Sequence, residues 1–98
     1  MPFVYILKCA DDSFYIGSTN NLALRLQEHE IGFFKGYTES RRPVRLVWWT
    51  DLPTKDEAFR CERQIKGWSR AKKEALIRGD WDEIHLIVKQ ERERRESS

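Results

Sequence analysis

The chain has 98 residues, a formal net charge of +2, 35% charged residues and 12% aromatic residues. We expect this length to form one domain with a modest core, without a second domain for holding substrate. Its two cysteines, Cys9 and Cys61, lack the spacing of a zinc or redox motif, and the apolar run at residues 3–7 is too short for a signal peptide or membrane span. We therefore expect a folded cytoplasmic protein.

The first predicted elements are two strands, residues 3–9 and 14–18, joined by a turn-prone Asp-Asp-Ser segment. The loop length decides which faces the two tyrosines occupy. A three-residue loop pairs Cys9 with Tyr15 and places Tyr5 and Tyr15 on one face, whereas a two-residue loop places them on opposite faces. We predict the odd-length loop, in which an aspartate or serine takes any positive φ because the turn has no glycine.

Asn20 or Asn21 is predicted to cap a helix that runs to about Ile31. Arg25 lies one turn before His29 on this helix, so the two are i, i+4 neighbours. A histidine on an apolar arc is more often a buried core residue than a catalyst, but its position next to Arg25 favours a functional role. The arc consists of Leu22, Leu26, His29 and Phe33.

A basic loop at residues 35–43 and a third strand at residues 44–50 follow. Thr54 and Glu57 form a capping box that opens the next helix. The predicted buried stripe of this helix is Ala58, Cys61, Ile65 and Trp68. Glu62 lies inside that arc, where an unpaired carboxylate is costly, so Glu62 is predicted to have a cationic partner or a metal ion.

The C-terminal part is predicted to contain two more helices. Ser69 caps a short basic helix at residues 70–77, and Asp80 opens a further helix near Trp81. The segment 90–98 is almost wholly charged, and we expect it to fray.

Basic side chains are concentrated in two segments that can follow a phosphate backbone. Residues 60–78 contain seven basic and two acidic side chains, and residues 35–45 contain four basic and one acidic. The same charges are equally consistent with solvated helix and loop surfaces. The candidate nucleic-acid-binding side chains are Lys35, Arg41, Arg42, Lys66, Arg70, Lys72 and Lys73.

The spacing of these motifs resembles that of the GIY-YIG nuclease family, and more closely its small single-domain bacterial members. The matching residues are Val4-Tyr5-Ile6, Tyr15-Ile16-Gly17, Arg25, His29 and Glu62. The resemblance runs from about Phe3 to Ile77. It implies a metal-dependent DNA endonuclease in repair or recombination. Together with the predicted elements, it indicates an α+β fold with a three-stranded antiparallel sheet flanked by helices. Residues 1–80 would form the nuclease-like part and residues 81–98 a C-terminal helix and tail of the same domain.

The resemblance also implies a role for each matched residue. Glu62 would bind Mg²⁺ or Mn²⁺ largely through water and substrate phosphate, and Arg25 would fork onto phosphate oxygens. Tyr5 would act as a base beside the attacking water, helped by His29, provided that nearby cations lower the pKa of its phenol. Tyr15 would hydrogen-bond the nucleophile or phosphate. Gly17 would let the backbone approach the nucleic acid closely.

Three features depart from the family pattern. Phe3 replaces the first glycine of the first triplet, Tyr37 stands near a position where some relatives have a further catalytic residue, and no asparagine follows Glu62 by about a dozen residues. Two other readings therefore stay open: a nucleic-acid-binding protein with little cleavage, and an interaction domain that a partner protein recruits through the charged tail. One exposed tryptophan ring could stack on an unpaired base.

Overall fold

The computed structural model describes residues 1–32 and 38–97, which form three strands and four helices. The elements are β1 (Phe3–Lys8), β2 (Phe14–Thr19), α1 (Leu22–Glu30), a 3-10 turn (Glu39–Arg41), β3 (Arg45–Asp51), α2 (Lys55–Lys66), α3 (Arg70–Arg78) and α4 (Trp81–Ser97). The strands form one antiparallel sheet in the order β2-β1-β3. The predicted α+β fold is confirmed.

The central strand β1 supplies four consecutive residues of the core. Val4, Tyr5, Ile6 and Leu7 are fully buried, as expected for an unbroken apolar run with a neighbouring strand on each side. Helix α2 packs against β1 and β2. Its buried residues include Ala58, in agreement with the predicted stripe.

The hairpin register differs from the prediction by two residues. Tyr15 pairs with Leu7 rather than with Cys9, and the ladder ends at the pair Lys8 and Phe14. The loop therefore spans residues 9–13. Because two residues are one full side-chain period, Tyr5 and Tyr15 still lie on the same face, as predicted.

Contacts inside the loop explain the longer connection. The Asp12 N–H donates to the Cys9 carbonyl oxygen, and the Asp11 carboxylate accepts from the Ser13 N–H. These bonds fold residues 9–13 into a local turn. A three-residue loop would have left Cys9 in the strand. Asp12 has a φ of 66°, so an aspartate does take the left-handed position.

Side-chain caps mark the predicted helix starts. The Asn21 side chain accepts from the Leu24 N–H, and the Thr54 hydroxyl accepts from the Glu57 N–H. Helix α2 ends at Lys66, before Trp68, because Gly67 follows and the next helix begins at its own cap.

Helices α3 and α4 enclose a small apolar centre at Ala75, Leu76 and Ile84. Ser69 caps α3, as predicted. Helix α4 continues to Ser97, so the expectation of a frayed tail was wrong. The tail consists mainly of glutamate and arginine, which are strong helix formers, and opposite charges recur at four-residue spacing.

The chain divides into two compact units, residues 1–66 and residues 67–98. The sheet, α1 and α2 belong to the first unit, and α3 and α4 belong to the second. A division at residue 80 into a nuclease-like part and a C-terminal helix and tail of the same domain was predicted from the sequence, and this division stays a prediction. Within residues 1–32 and 38–97, no helix has the length and apolar character needed to cross a membrane.

Candidate active site

Tyr5, His29 and Thr38 form a buried chain of hydrogen bonds. The Tyr5 hydroxyl oxygen lies 3.0 Å from Nε2 of His29, and Nδ1 of His29 lies 2.9 Å from the Thr38 hydroxyl oxygen. All three residues are at most 2% exposed. Strand β1 supplies the tyrosine, and the last turn of α1 supplies the histidine. Both nitrogens of the imidazole are engaged, which fixes the orientation of the ring.

Tyr15 and Gly17 complete the surroundings of this chain from β2. The Tyr15 ring centroid lies 5.1 Å from that of His29 and 6.3 Å from that of Tyr5. A Cβ at Gly17 would lie 2.5 Å from the Tyr5 hydroxyl oxygen and 2.7 Å from Cζ of the same ring. Gly17 is buried, whereas the family resemblance implied that its backbone would lie against nucleic acid. The group that approaches it is the Tyr5 ring.

Burial raises the pKa of the Tyr5 hydroxyl well above its ordinary value, and the nearby Tyr15 adds to the rise. The charge and hydrogen bonding of Arg25 oppose the rise without cancelling it. The expectation that cations lower this pKa was therefore wrong for the protein without ligand, because desolvation outweighs them. Burial also lowers the pKa of His29, and the Arg25 charge lowers it further, while Glu28 acts in the opposite direction. At neutral pH the pair is a neutral phenol beside a neutral imidazole.

Arg25 links this buried pair to the surface. Its Nε lies 3.4 Å from the Glu28 carboxylate, and its side chain is 33% exposed. The same side chain lines an open groove of about 440 Å³, which we call the Arg25 groove. Its other walls are residues 18–20 at the end of β2 and the first turns of α2, including Lys55 and Phe59.

Glu62 lies on α2 and pairs there with Lys66. Its side chain is 15% exposed, and its carboxylate lies 3.4 Å from Nζ of Lys66, whose side chain is 54% exposed. The negative charge of Glu62 raises the pKa of Tyr5, so the two groups lie within electrostatic reach. In the described part of the chain, no three His, Cys, Asp or Glu side chains cluster to hold a metal. One carboxylate fits a hard divalent ion that keeps most of its water and binds substrate phosphate as well.

The basic residues predicted near the loop have structural partners. Arg41 pairs with Asp11 at 2.9 Å. Arg42 donates to the carbonyl oxygens of Glu39 and Glu30. Both arginines therefore help to hold the segment around the 3-10 turn. Lys35, Tyr37 and Phe33 lie outside the described residues.

The second unit places its predicted basic residues in different environments. Lys72 differs from the expectation, because it is 7% exposed, donates to Glu91 at 3.2 Å and lies 5.2 Å above the Trp68 ring. Its ammonium is directed into the unit and not towards a phosphate. Lys73 is half-buried, and Arg70 is exposed and pairs with Glu74 at 3.7 Å.

Two residues at this site were missed by sequence reasoning. Thr38 lies between α1 and the 3-10 turn, so no periodicity marks it. Glu28 is one of many charged helix residues, and its i, i+3 spacing from Arg25 on α1 is the sequence signal that could have found it.

Comparison with known proteins shows the family of the chain. Residues 1–75 match the family model described as GIY-YIG catalytic domain, and the chain belongs to this family. Among individual proteins, it is 45% identical over 75 residues to a UPF0213 protein of Bacillus pumilus, covering 76% of each chain. It is 44% identical to a UPF0213 protein of Natronomonas pharaonis, covering 76% of this chain and 88% of that one.

A solved structure is also similar. The solution NMR structure of a UPF0213 protein from Bacillus halodurans has 44% sequence identity and a TM-score of 0.52. The similarity covers 79% of this chain and 83% of that chain. The family resemblance read from the sequence is confirmed.

Proposed function

We propose that the protein is a divalent-metal-dependent DNA endonuclease that hydrolyses phosphodiester bonds in DNA repair or recombination. The observation that carries the proposal is the buried Tyr5–His29–Thr38 hydrogen-bond chain, with Arg25 and Glu62 within electrostatic reach of its hydroxyl. A phosphodiester cutter needs an aligned water, a proton acceptor and charge stabilisation, and these residues supply one group for each need.

Tyr5 and His29 are proposed to move the proton. With one proton on Nδ1 of His29 facing Thr38, Nε2 accepts the Tyr5 hydroxyl hydrogen. The Tyr5 oxygen can then take a proton from the attacking water while its own proton passes to Nε2. This relay never requires a free phenolate, which suits a hydroxyl whose pKa is raised by burial. Tyr15, beside both rings, is placed to orient the water or the phosphate.

Arg25 is proposed to bind the scissile phosphate. Its guanidinium is reachable from the groove, and it can fork onto two phosphate oxygens as negative charge builds. Glu28 holds the guanidinium from the same helix, which limits the orientations that it can take.

Glu62 is proposed to hold Mg²⁺ or Mn²⁺. Lys66, its partner in the free protein, is more than half exposed and can turn into solvent when the ion binds. A bound divalent ion would supply charge stabilisation for the phosphate and the leaving oxygen. It would also replace the negative influence of Glu62 on Tyr5 by a positive one, which favours loss of the Tyr5 proton.

A nuclease assay on flap, nicked, branched, single-stranded and blunt duplex DNA, with and without Mn²⁺, tests the proposal. We expect metal-dependent cutting of at least one substrate. Glu62→Gln should abolish it while the fold is kept, because the change removes charge and hardly any volume. Cutting by this variant at the parental rate would remove Glu62 from the mechanism.

A second candidate is a nucleic-acid-binding protein of the same fold with little cleavage. Two features favour this candidate. The Tyr5–His29 pair is neutral, so Tyr5 is not in the phenolate form that takes a proton most readily, and the carboxylate of Glu62, the proposed metal ligand, is already paired with Lys66. Salt-dependent DNA binding without cutting in any metal would select this candidate.

A further inference from the structure

The Arg25 groove combines Arg25 with side chains that the proposed hydrolysis does not use. Besides Arg25, it is lined by the cationic side chain of Lys55, by the polar side chains of residues 18–20, and by the ring of Phe59. Asp56 also lines it, so the basic side chains outnumber the acidic ones by two to one. Its volume of about 440 Å³ falls in the range of small-molecule binding sites.

Phe59 is the unusual member of this wall. Its residue is 56% exposed although it lies on a helix whose other exposed positions are mostly charged or polar. The Arg63 guanidinium carbon lies 5.6 Å from the ring centroid, a contact that restrains the ring. An exposed ring that is restrained and sits beside two cations is the arrangement with which proteins stack a base while they bind its phosphates.

We propose that the Arg25 groove holds an unpaired nucleotide of the DNA strand, with its base stacked on Phe59 and a phosphate on Lys55, next to the phosphate that Arg25 binds. This inference rests on the proposed function for the role of Arg25, and it names the substrate class as DNA with an unpaired nucleotide beside the cut. A base in a duplex is stacked on both sides and has no free face for Phe59, so a fully paired strand does not fill the groove in this way.

Binding is measured in the Glu62→Gln background, so that the probes are not cut. The probes are a short fluorescent oligothymidylate and a blunt duplex of the same length, followed by fluorescence anisotropy at one salt concentration. Phe59→Ala should weaken oligothymidylate binding about 5- to 100-fold, the range that stacking of one base provides, and leave duplex binding unchanged. Phe59→Tyr should restore the parental value, and Phe59→Leu should not, because only the former keeps a ring.

Trp81→Ala is the matched control. Trp81 is 57% exposed and lies in the other compact unit, so its loss removes an equally exposed ring outside the groove. Thermal unfolding checks that each variant is folded, which is expected because Phe59 is more than half exposed. Equal oligothymidylate affinity of Phe59→Ala and the parent, or an equal loss in Trp81→Ala, would overturn the proposal.

A cleavage arm separates this proposal from the proposed function. With Glu62 intact, Phe59→Ala should lose rate on flap DNA and keep its rate on any duplex that the parent cuts. If no variant cuts DNA but the binding difference is found, the groove assignment stands and the nuclease function falls. If the parent cuts and Phe59→Ala keeps the parental ratio of flap to duplex cutting, the groove assignment falls and the nuclease function stands.

Discussion

Each compact unit buries a basic side chain, and the two units do so in opposite ways. In the first unit His29 is held between two hydroxyl groups, and its pKa is lowered, so it is buried as a neutral ring. In the second unit Lys72 is held by the Glu91 carboxylate and the Trp68 ring, so it is buried as a member of an ion pair.

The difference separates a side chain proposed to act in catalysis from one that stabilises the fold. An imidazole buried as a neutral ring can accept a proton at Nε2, whereas a paired ammonium mainly keeps two elements together. We therefore expect changes around His29 to affect cleavage and its pH dependence, and changes at Lys72 to affect stability. Five predictions test this contrast, from the largest expected effect to the smallest.

Arg25→Ala should lower the single-turnover cleavage rate by about 10² to 10³, the usual cost of losing a preorganised donor to developing negative charge. Arg25→Lys should retain part of the rate, because a lysine keeps the charge but not the forked geometry. The measurement is the single-turnover rate on one cleavable substrate with saturating protein. A parental rate in Arg25→Ala would mean that the groove cation does not contact the reacting phosphate.

Gly17→Ala should destabilise the first unit by about 1 to 3 kcal/mol, the usual cost of overpacking a filled site. The added methyl group meets the Tyr5 hydroxyl and must displace the ring, so the cleavage rate should fall as well. Chemical denaturation measures the first effect, and Tyr5→Phe should partly relieve it in the double variant by removing the nearest atom.

Gly79→Ala is the control for that experiment. A Cβ there meets no atom within 4 Å, and its cost comes only from the left-handed backbone with φ of 71°. Its destabilisation should therefore be insensitive to Tyr5→Phe. If Tyr5→Phe reduced the destabilisation by the same amount in Gly17→Ala and in Gly79→Ala, the close approach of Tyr5 and Gly17 would be contradicted.

Lys72 and Lys73 are neighbours in sequence with different expected roles. Lys72→Ala should cost about 1 to 3 kcal/mol of unfolding free energy by leaving Glu91 unpaired, with little change in DNA binding. Lys73→Ala should leave stability almost unchanged and reduce the slope of log affinity against log salt by about one, if this side chain contacts a phosphate. Denaturation and salt-dependent binding of both variants measure the two effects, and the reverse pattern would contradict the burial of Lys72.

Acid should reveal the buried neutral histidine. Because the pKa of folded His29 is lowered, unfolded chains bind its proton first as pH drops below about 6.5, and stability falls until the folded pKa is passed. One such proton contributes a slope of at most about 1.4 kcal/mol per pH unit. His29→Gln should remove this slope, and His85→Gln should not, because His85 is exposed. An unchanged slope in His29→Gln would show that His29 is not the titrating group.

The pH dependence of cleavage sharpens the same point. The relay needs a neutral His29. Because the pKa of His29 lies below its ordinary value of about 6.5, the parental cleavage rate should stay level down to that pH and fall only on the acid side of the lowered pKa. Raising the pH should partly restore the cleavage rate of His29→Ala, because this variant keeps the Tyr5 oxygen. It should not restore the cleavage rate of Tyr5→Phe. A parental rate of Tyr5→Phe at every pH would remove the hydroxyl from the mechanism.

The sequence by itself determined the elements and the family. Period-two strands, capping residues and the spacing from Tyr5 to Glu62 predicted the sheet, the helix starts and the shared face of the two tyrosines, because these depend on short-range stereochemistry. The hairpin register was wrong because hydrogen bonds within the loop compete with the strand ladder. The helix beginning near Trp81 was predicted, but its continuation to Ser97 was missed because the helix propensity of the charged tail was neglected.

Only the tertiary structure decided which side chains meet and how deeply they are buried. It brings Thr38 to His29, places the Tyr5 ring over Gly17 and encloses Lys72, and none of these contacts follows from sequence spacing. The direction of the Tyr5 pKa shift depends on the same information, since desolvation opposes the nearby cation and burial decides which effect is larger. Periodicity shows which face of an element is apolar, but the dielectric environment of a group is set by all the elements that pack around it.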